Sequence, residues 1–235
     1  MRIVWKKVPL GHLSVVESDA VGTIDITNSE LAYLGYEGGV NGGPVDGITY
    51  FGGPGSKIKN NDIHDLYFGF YSNGVGYITI ENNAIHNNGH YGLDPHTGTH
   101  DMLIRNNTVY DNGGIGIICS LDCYNIIIEN NTVYNNTKMG VMFSRNMYDS
   151  VARNNIITHE EKGIVISESH NNSFYNYQVS DSSRRIDLDK ESFGNTIHHN
   201  AIENIPDPSE ALHIEEGAAA NNTLYSNKPI SFDRQ

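Results

Sequence analysis

The 235-residue sequence is short of positive charge, of cysteine and of long apolar runs, and each shortage removes a class of function. Lys and Arg number 15 against 28 Asp and Glu, a formal net charge of −13. Such a chain is repelled by nucleic acid and by anionic lipid, so neither is expected as a partner. No apolar run reaches 18 residues, and the opening MRIVWKKVPLGHL is too poor in apolar residues to read as a secretory leader. The two cysteines, Cys119 and Cys123, are four apart. On one extended strand their Cα atoms would lie about 13 Å apart, beyond disulfide reach, and two free thiols are expected. No CxxC or His/Cys cluster marks a zinc site and no GGxGxD repeat marks a calcium roll. No metal or cofactor is therefore expected, and no motif indicates calcium.

The chain also lacks any helix-length apolar pattern; what it has instead is a short repeat. An Asn-rich pair followed by a β-branched or small apolar residue recurs as KNNDIHD (59–65), ENNAIHN (81–87), RNNTVYD (105–111), ENNTVYN (129–135) and RNNIITH (153–159). The first Asn of each pair falls at 60, 82, 106, 130 and 154, and a weaker copy begins at 176. About ten residues later comes Gly with a short apolar run (GFYS, GLDP, GIICS, GVMFS, GIVIS), and a third apolar stretch closes each unit. Three short strands per period of 22–24 residues predict an all-β chain, a right-handed parallel β-helix with about one coil per repeat. Coils are expected from about residue 14 to 227, in a single domain over 1–235 that forms a monomer. The step from Asn28 to Asn60 is 32, and the surplus, EGGVNGGPVDG at 37–47, reads as a loop insertion. Asn tolerates the left-handed backbone of a corner and can hydrogen-bond along a stack, so the repeated Asn pairs read as scaffold. His64, His86, Tyr110 and Tyr134 share one repeat position and read as a stacked surface column.

One coil breaks the pattern. Aligning Gly69, Gly92, Gly116, Gly140 and Gly163 sets Asp94 against Ile118, Met142 and Val165, and His96 against Ser120, Ser144 and Ser167. Tyr91 falls against Phe68, Ile115, Met139 and Lys162. A phenol, a carboxylate and an imidazole thus collect where neighbouring coils are mostly apolar or small. In an extended strand Asp94 and His96 project to the same side. Pro95 between them suits a strand end or a local irregularity. A turn with a satisfied carboxylate would account for the same residues without any chemistry.

YGLDPH, with FGFYS one coil before it, NNTVYDNGGIGI one coil after it and AYLGY upstream, resembles the mannuronan (alginate) C5-epimerases, over about residues 23 to 205. The resemblance implies a polysaccharide isomerase that converts β-D-mannuronate to α-L-guluronate in the polymer, an anionic-polysaccharide partner, and a periplasmic or extracellular location. It also implies roles: His96 removes the C5 proton, Tyr91 returns one from the other face, and Asp94 holds the imidazole or the substrate carboxyl. Both residue types suit proton transfer near neutral pH. This sequence departs from the family directly after the motif, where Thr97 and Gly98 replace a charged pair, and one coil later, where Ser120 is followed by Leu121. The nearest cation in that column is Arg145, two coils and about 10 Å away. Arg145, Lys138 and Ser120 are the candidate substrate contacts. Lys57, Lys59, Arg105, Lys138, Arg145 and Arg153 cluster in the middle coils, a pattern compatible with a central groove for an anionic sugar chain. Two other functions fit the same residues: a polyuronate lyase, which removes the same proton but expels the 4-O group, and a non-catalytic carbohydrate-binding β-helix.

Overall fold

Each repeat contributes three strands of three to six residues, and successive repeats add them in register to three parallel sheets of 10, 9 and 9 strands. The computed structural model describes residues 2–4, 13–15, 23, 25–35, 47–50, 54–189, 191–204 and 211–230. Within them the chain is a right-handed parallel β-helix whose only helical element is a 3-10 turn, Ala218–Asn221. The strands run from Arg2–Val4 to Lys228–Ile230, slightly beyond the coils expected from the repeat. The anticipated loop at 37–47, apart from Gly47, lies outside the described residues.

One inward residue per three-residue strand fills the solenoid. In the first sheet that column is Leu31, Ile63, Ile85, Val109, Val133, Ile157, Val179 and Ile202, and each is no more than 1% exposed. Such burial contributes roughly 1.5–3 kcal/mol per side chain and is the main force holding coil on coil. The paired Asn divide their labour. The first of each pair takes the left-handed backbone at the corner, with φ of 55–57° from Asn60 to Asn176. The second is buried and stacks: Asn61, Asn83, Asn107 and Asn131 each donate Nδ2–H to the Oδ1 of the next coil's Asn at 2.9–3.0 Å. A second ladder runs Asn88, Asn112, Asn136 and then Glu160, whose buried carboxyl is raised to about 8 by desolvation. The ring column His64–His86–Tyr110–Tyr134 is stacked with centroids 4.6–5.1 Å apart, the coil spacing. Cys119 and Cys123 are both free and buried.

The glycine column sits at the start of the second-sheet strands, where coils approach most tightly. A Cβ on Gly92 would lie 2.6 Å from the Gly116 carbonyl oxygen and 2.6 Å from Val109 Cγ1, so no side chain fits there. That tight start fixes the register of Leu93–His96 against its neighbours, with Asp94 opposite Tyr71 and His96 between Asn73 and Ser120.

Candidate functional site

The strand Leu93–His96 belongs to the second sheet, between Phe68–Asn73 and Ile115–Ser120. Leu93 points inward into the core, so alternation turns Asp94 and His96 outward on the same face. The Asp94 column reads Tyr71, Asp94, Ile118, Met142, Val165, Asp187, His213 along the solenoid.

Asp94 is on the outer face yet only 3% exposed, and its Oδ1 is buried with no hydrogen-bond partner. Desolvation pushes its pKa up to about 8, against a smaller opposing pull from Arg145. At neutral pH this carboxyl is mostly protonated and is itself a donor. His96 moves the other way: burial and then the Arg145 charge hold its pKa below the usual imidazole value, so its ring is neutral. Arg145 Nη2 donates to His96 Nε2 at 3.0 Å and to Ser120 Oγ at 2.7 Å. A guanidinium only donates, so Nε2 carries the lone pair and the ring proton is on Nδ1. Nδ1 in turn lies 2.5 Å from Thr97 Oγ1 and 3.4 Å from the Tyr71 hydroxyl. Thr97 has a φ of 42°, unusual for a β-branched residue, so the chain holds a strained backbone at the partner of the imidazole.

Tyr91 starts a run of rings that ends at the imidazole. Centroids are 5.4 Å apart from Tyr91 to Phe68, 5.9 Å from Phe68 to Tyr71 and 5.4 Å from Tyr71 to His96. Burial, and then the nearby Asp94, raise the pKa of both phenols, which keeps each of them a proton donor.

The expected residues are thus distributed unevenly. Asp94, His96 and Arg145 come together, with the Arg145 side chain spanning the two-coil offset that separates its backbone from the motif. Ser120 is fully buried and holds Arg145 in place. Lys138 is exposed at the opposite, N-terminal end of the second-sheet strands, beside Met139–Ser144. The wider cluster of cations is corrected by the structure. Lys57, Lys59, Arg105 and Arg153 stand on the third sheet, not on this face. There Lys59 and Arg105 share Glu81, each at 2.6 Å, and Arg153 binds Glu129 at 2.7 Å. Tyr71, beside His96 and opposite Asp94, joins the candidate site and was passed over in the sequence reading. Extending the Asp94 column one coil upstream, as well as downstream, reveals it.

Beyond Arg145, toward the C-terminal coils, an open cavity of about 470 Å³ is lined by Leu121, Asp122, Arg145, Asn146, Glu168, His170, Glu191 and Phe193. His170 and Phe193 are the last rings of a second stack, His100–Tyr124–Tyr148–His170–Phe193, spaced 4.8–5.3 Å.

A solenoid that gathers Asp94, His96 and Arg145 on the outer face of its second sheet defines a β-helix with a polar candidate site. The chain belongs to the family described as periplasmic copper-binding protein (NosD), whose model matches residues 25–228. Membership agrees with the expected periplasmic or extracellular location. Among curated proteins none matches significantly. Among solved structures the chain is similar to the periplasmic alginate epimerase AlgG, at 22% identity and a TM-score of 0.69, covering 89% of this chain and 58% of that one. It is similar also to the A-module of the Azotobacter vinelandii mannuronan C-5 epimerase AlgE6 (16% identity, TM-score 0.62, 90% of this chain and 74% of that one). A third likeness is to the pectate lyase Pel9A (12% identity, TM-score 0.60, 97% and 67%). The chain spans about three fifths of the AlgG structures it matches, and at these identities the likeness is one of fold.

The family's description names copper, and the donors among the described residues do not fit a resident copper ion. No group of three or more His, Cys, Asp or Glu side chains gathers among them. Burial raises both thiols, Cys123 to about 12, so neither offers a thiolate. His64, His86, His100 and His170 each have a ring nitrogen hydrogen-bonded to a neighbouring carboxylate or amide oxygen.

Proposed function

We propose that the chain acts on an anionic polysaccharide and epimerises a uronate at C5, with mannuronate to guluronate the first conversion to test. The observation that carries this reading is His96 Nε2 held 3.0 Å from Arg145 Nη2, on the same outward face as the buried, unpartnered carboxyl oxygen of Asp94; burial favours a neutral imidazole there. In the free protein the guanidinium caps the base. An incoming sugar carboxylate is a stronger acceptor for Arg145 than an imidazole nitrogen, so binding draws the guanidinium away and frees Nε2. Nε2 then takes H5. The electron pair left at C5 delocalises into the carboxylate, where Arg145 and the O–H of Asp94 meet the growing charge. A neutral carboxylic acid in an apolar setting suits that task better than a second anion. Tyr91 returns a proton to C5 from the opposite face, and the tyrosinate and imidazolium relax by exchange with water. Tyr71 and Thr97 keep the imidazole aimed.

The test is incubation with polymannuronate, and with a polymer alternating uronate and neutral sugar, in D2O. Deuterium at C5 of the inverted uronate, read by NMR, is the expected result. An unsaturated product absorbing in the ultraviolet would assign elimination instead. No C5 exchange in either polymer would leave a binding module.

A further inference from the structure

Arg145 has two neighbourhoods, one neutral and one acidic. On one side it meets His96 and Ser120; on the other it lines the 470 Å³ cavity, whose remaining charged lining residues are Asp122, Glu168 and Glu191. Among the described lining residues Arg145 is the one cation. All three carboxylates are on exposed residues, and among the described residues Asn146 donates to Asp122 at 2.7 Å. The far wall is the ring of Phe193, 51% exposed and stacked on His170 at 4.8 Å. Of the other cations in the middle coils, Lys59, Arg105 and Arg153 stand on the third sheet and are paired with Glu81 and Glu129.

We infer that this cavity is the subsite for the sugar next to the reacting uronate, and that it takes an uncharged hexose rather than a second uronate. The inference rests on the C5 chemistry proposed above and narrows its polymer to one in which uronate alternates with neutral sugar. A sugar inside a polymer has a neighbour on each side. With its carboxylate on Arg145, the neighbour toward the C-terminal coils enters the cavity, since one coil rises by ~4.8 Å, about the length of one pyranose. A uronate there would set a carboxylate among three others. A neutral hexose instead offers hydroxyls that donate to Asp122, Glu168 and Glu191 in charge-assisted hydrogen bonds, and an apolar ring face to lay on Phe193.

The test is calorimetric titration of the full chain, at low ionic strength with EDTA, using three hexasaccharides: oligomannuronate, glucuronate alternating with N-acetylglucosamine, and an all-neutral glucan. The alternating oligomer is expected to bind at least ~10-fold tighter than oligomannuronate, with the neutral glucan weakest for want of a group on Arg145. Glu168→Gln with Glu191→Gln keeps the shape and removes two charges. It should tighten oligomannuronate ~5- to 10-fold at low salt, lose that gain at high salt, and weaken the alternating oligomer a few-fold. Oligomannuronate binding tightest to the wild type, with no response to the double substitution, would overturn the inference. Oligomannuronate brought level with the alternating oligomer by millimolar calcium would overturn it too, by assigning the acids to a bridging cation. Selective binding of the alternating oligomer without C5 exchange would sustain the subsite and sink the epimerase; exchange on polymannuronate that ignores the double substitution would do the reverse.

Discussion

Asp94 and Asp187 occupy the same outward column of the second sheet, four coils apart, and are similarly buried at 3% and 7% exposure. Their chemistry is opposite. Burial acts on both to raise the pKa. At Asp94 only a smaller pull from Arg145 opposes it, and the carboxyl rises to about 8. At Asp187, Lys162 at 2.5 Å and His213 at 2.6 Å outweigh desolvation and hold the carboxyl below its ordinary value. One position in the repeat therefore yields a neutral donor with a vacant oxygen and, elsewhere, a satisfied anion in an ion-pair cluster. Exposure and register do not separate the two; partners do. A buried polar group left without a partner costs stability, and its retention points to function, whereas the paired group explains itself.

The largest expected effect comes from exchanging the imidazole at each end. His96→Ala should cut turnover on the uronate polymer by ~10²-fold or more, as for loss of a positioned base. His213→Ala, beside the paired Asp187, should leave turnover within about 2-fold. Equal losses measured by C5 exchange would erase the functional difference between the two coils.

The second test reads Asp94 by pH. The proposed active form needs His96 neutral and Asp94 protonated. Turnover should therefore rise with pH through a value below 6.5 and fall again near pH 8. Asp94→Asn keeps a donor, so it should cost only ~10-fold and abolish the alkaline fall, while Asp94→Ala costs ~10²-fold. An Asn variant as impaired as Ala, with the alkaline limb intact, would mean Asp94 acts as an anion like Asp187.

The parts legible in sequence are those that every coil repeats. The Asn pairs, the glycine column and the strand trios are each required by a steric or hydrogen-bonding demand that recurs once per turn, so they appear as a period. Asp94 and His96 were visible as a break in that period. Three things were not. A solenoid position has two coordinates, height along the axis and face around it, and grouping Lys57, Lys59, Arg105 and Arg153 by coil used only the height. Arg145 was placed by its backbone at about 10 Å, but its long side chain covers that distance to reach His96. Whether Asp94 or Asp187 is the paired carboxylate depends on side chains from neighbouring coils, and a single coil's sequence does not contain them.

The smallest effect belongs to the paired carboxylate, and it should appear in stability alone. Asp187→Asn removes the anion that Lys162 and His213 share, with Arg184 3.5 Å away. Discounted for the partial exposure of those cations, the loss should be about 1–2 kcal/mol at pH 7. Its pH dependence has a definite sign. A carboxyl with a depressed folded-state pKa contributes stability above its unfolded value, near 3.8, and loses it as pH falls through the lower folded value. Denaturant unfolding should therefore show wild type and Asp187→Asn diverging at neutral pH and converging in acid below about pH 4, with C5 exchange unaltered throughout. A gap that persists in acid would assign the loss to packing rather than to the ion pairs. A fall in turnover would make the second coil part of the site, and the contrast between the two aspartates would then be one of degree.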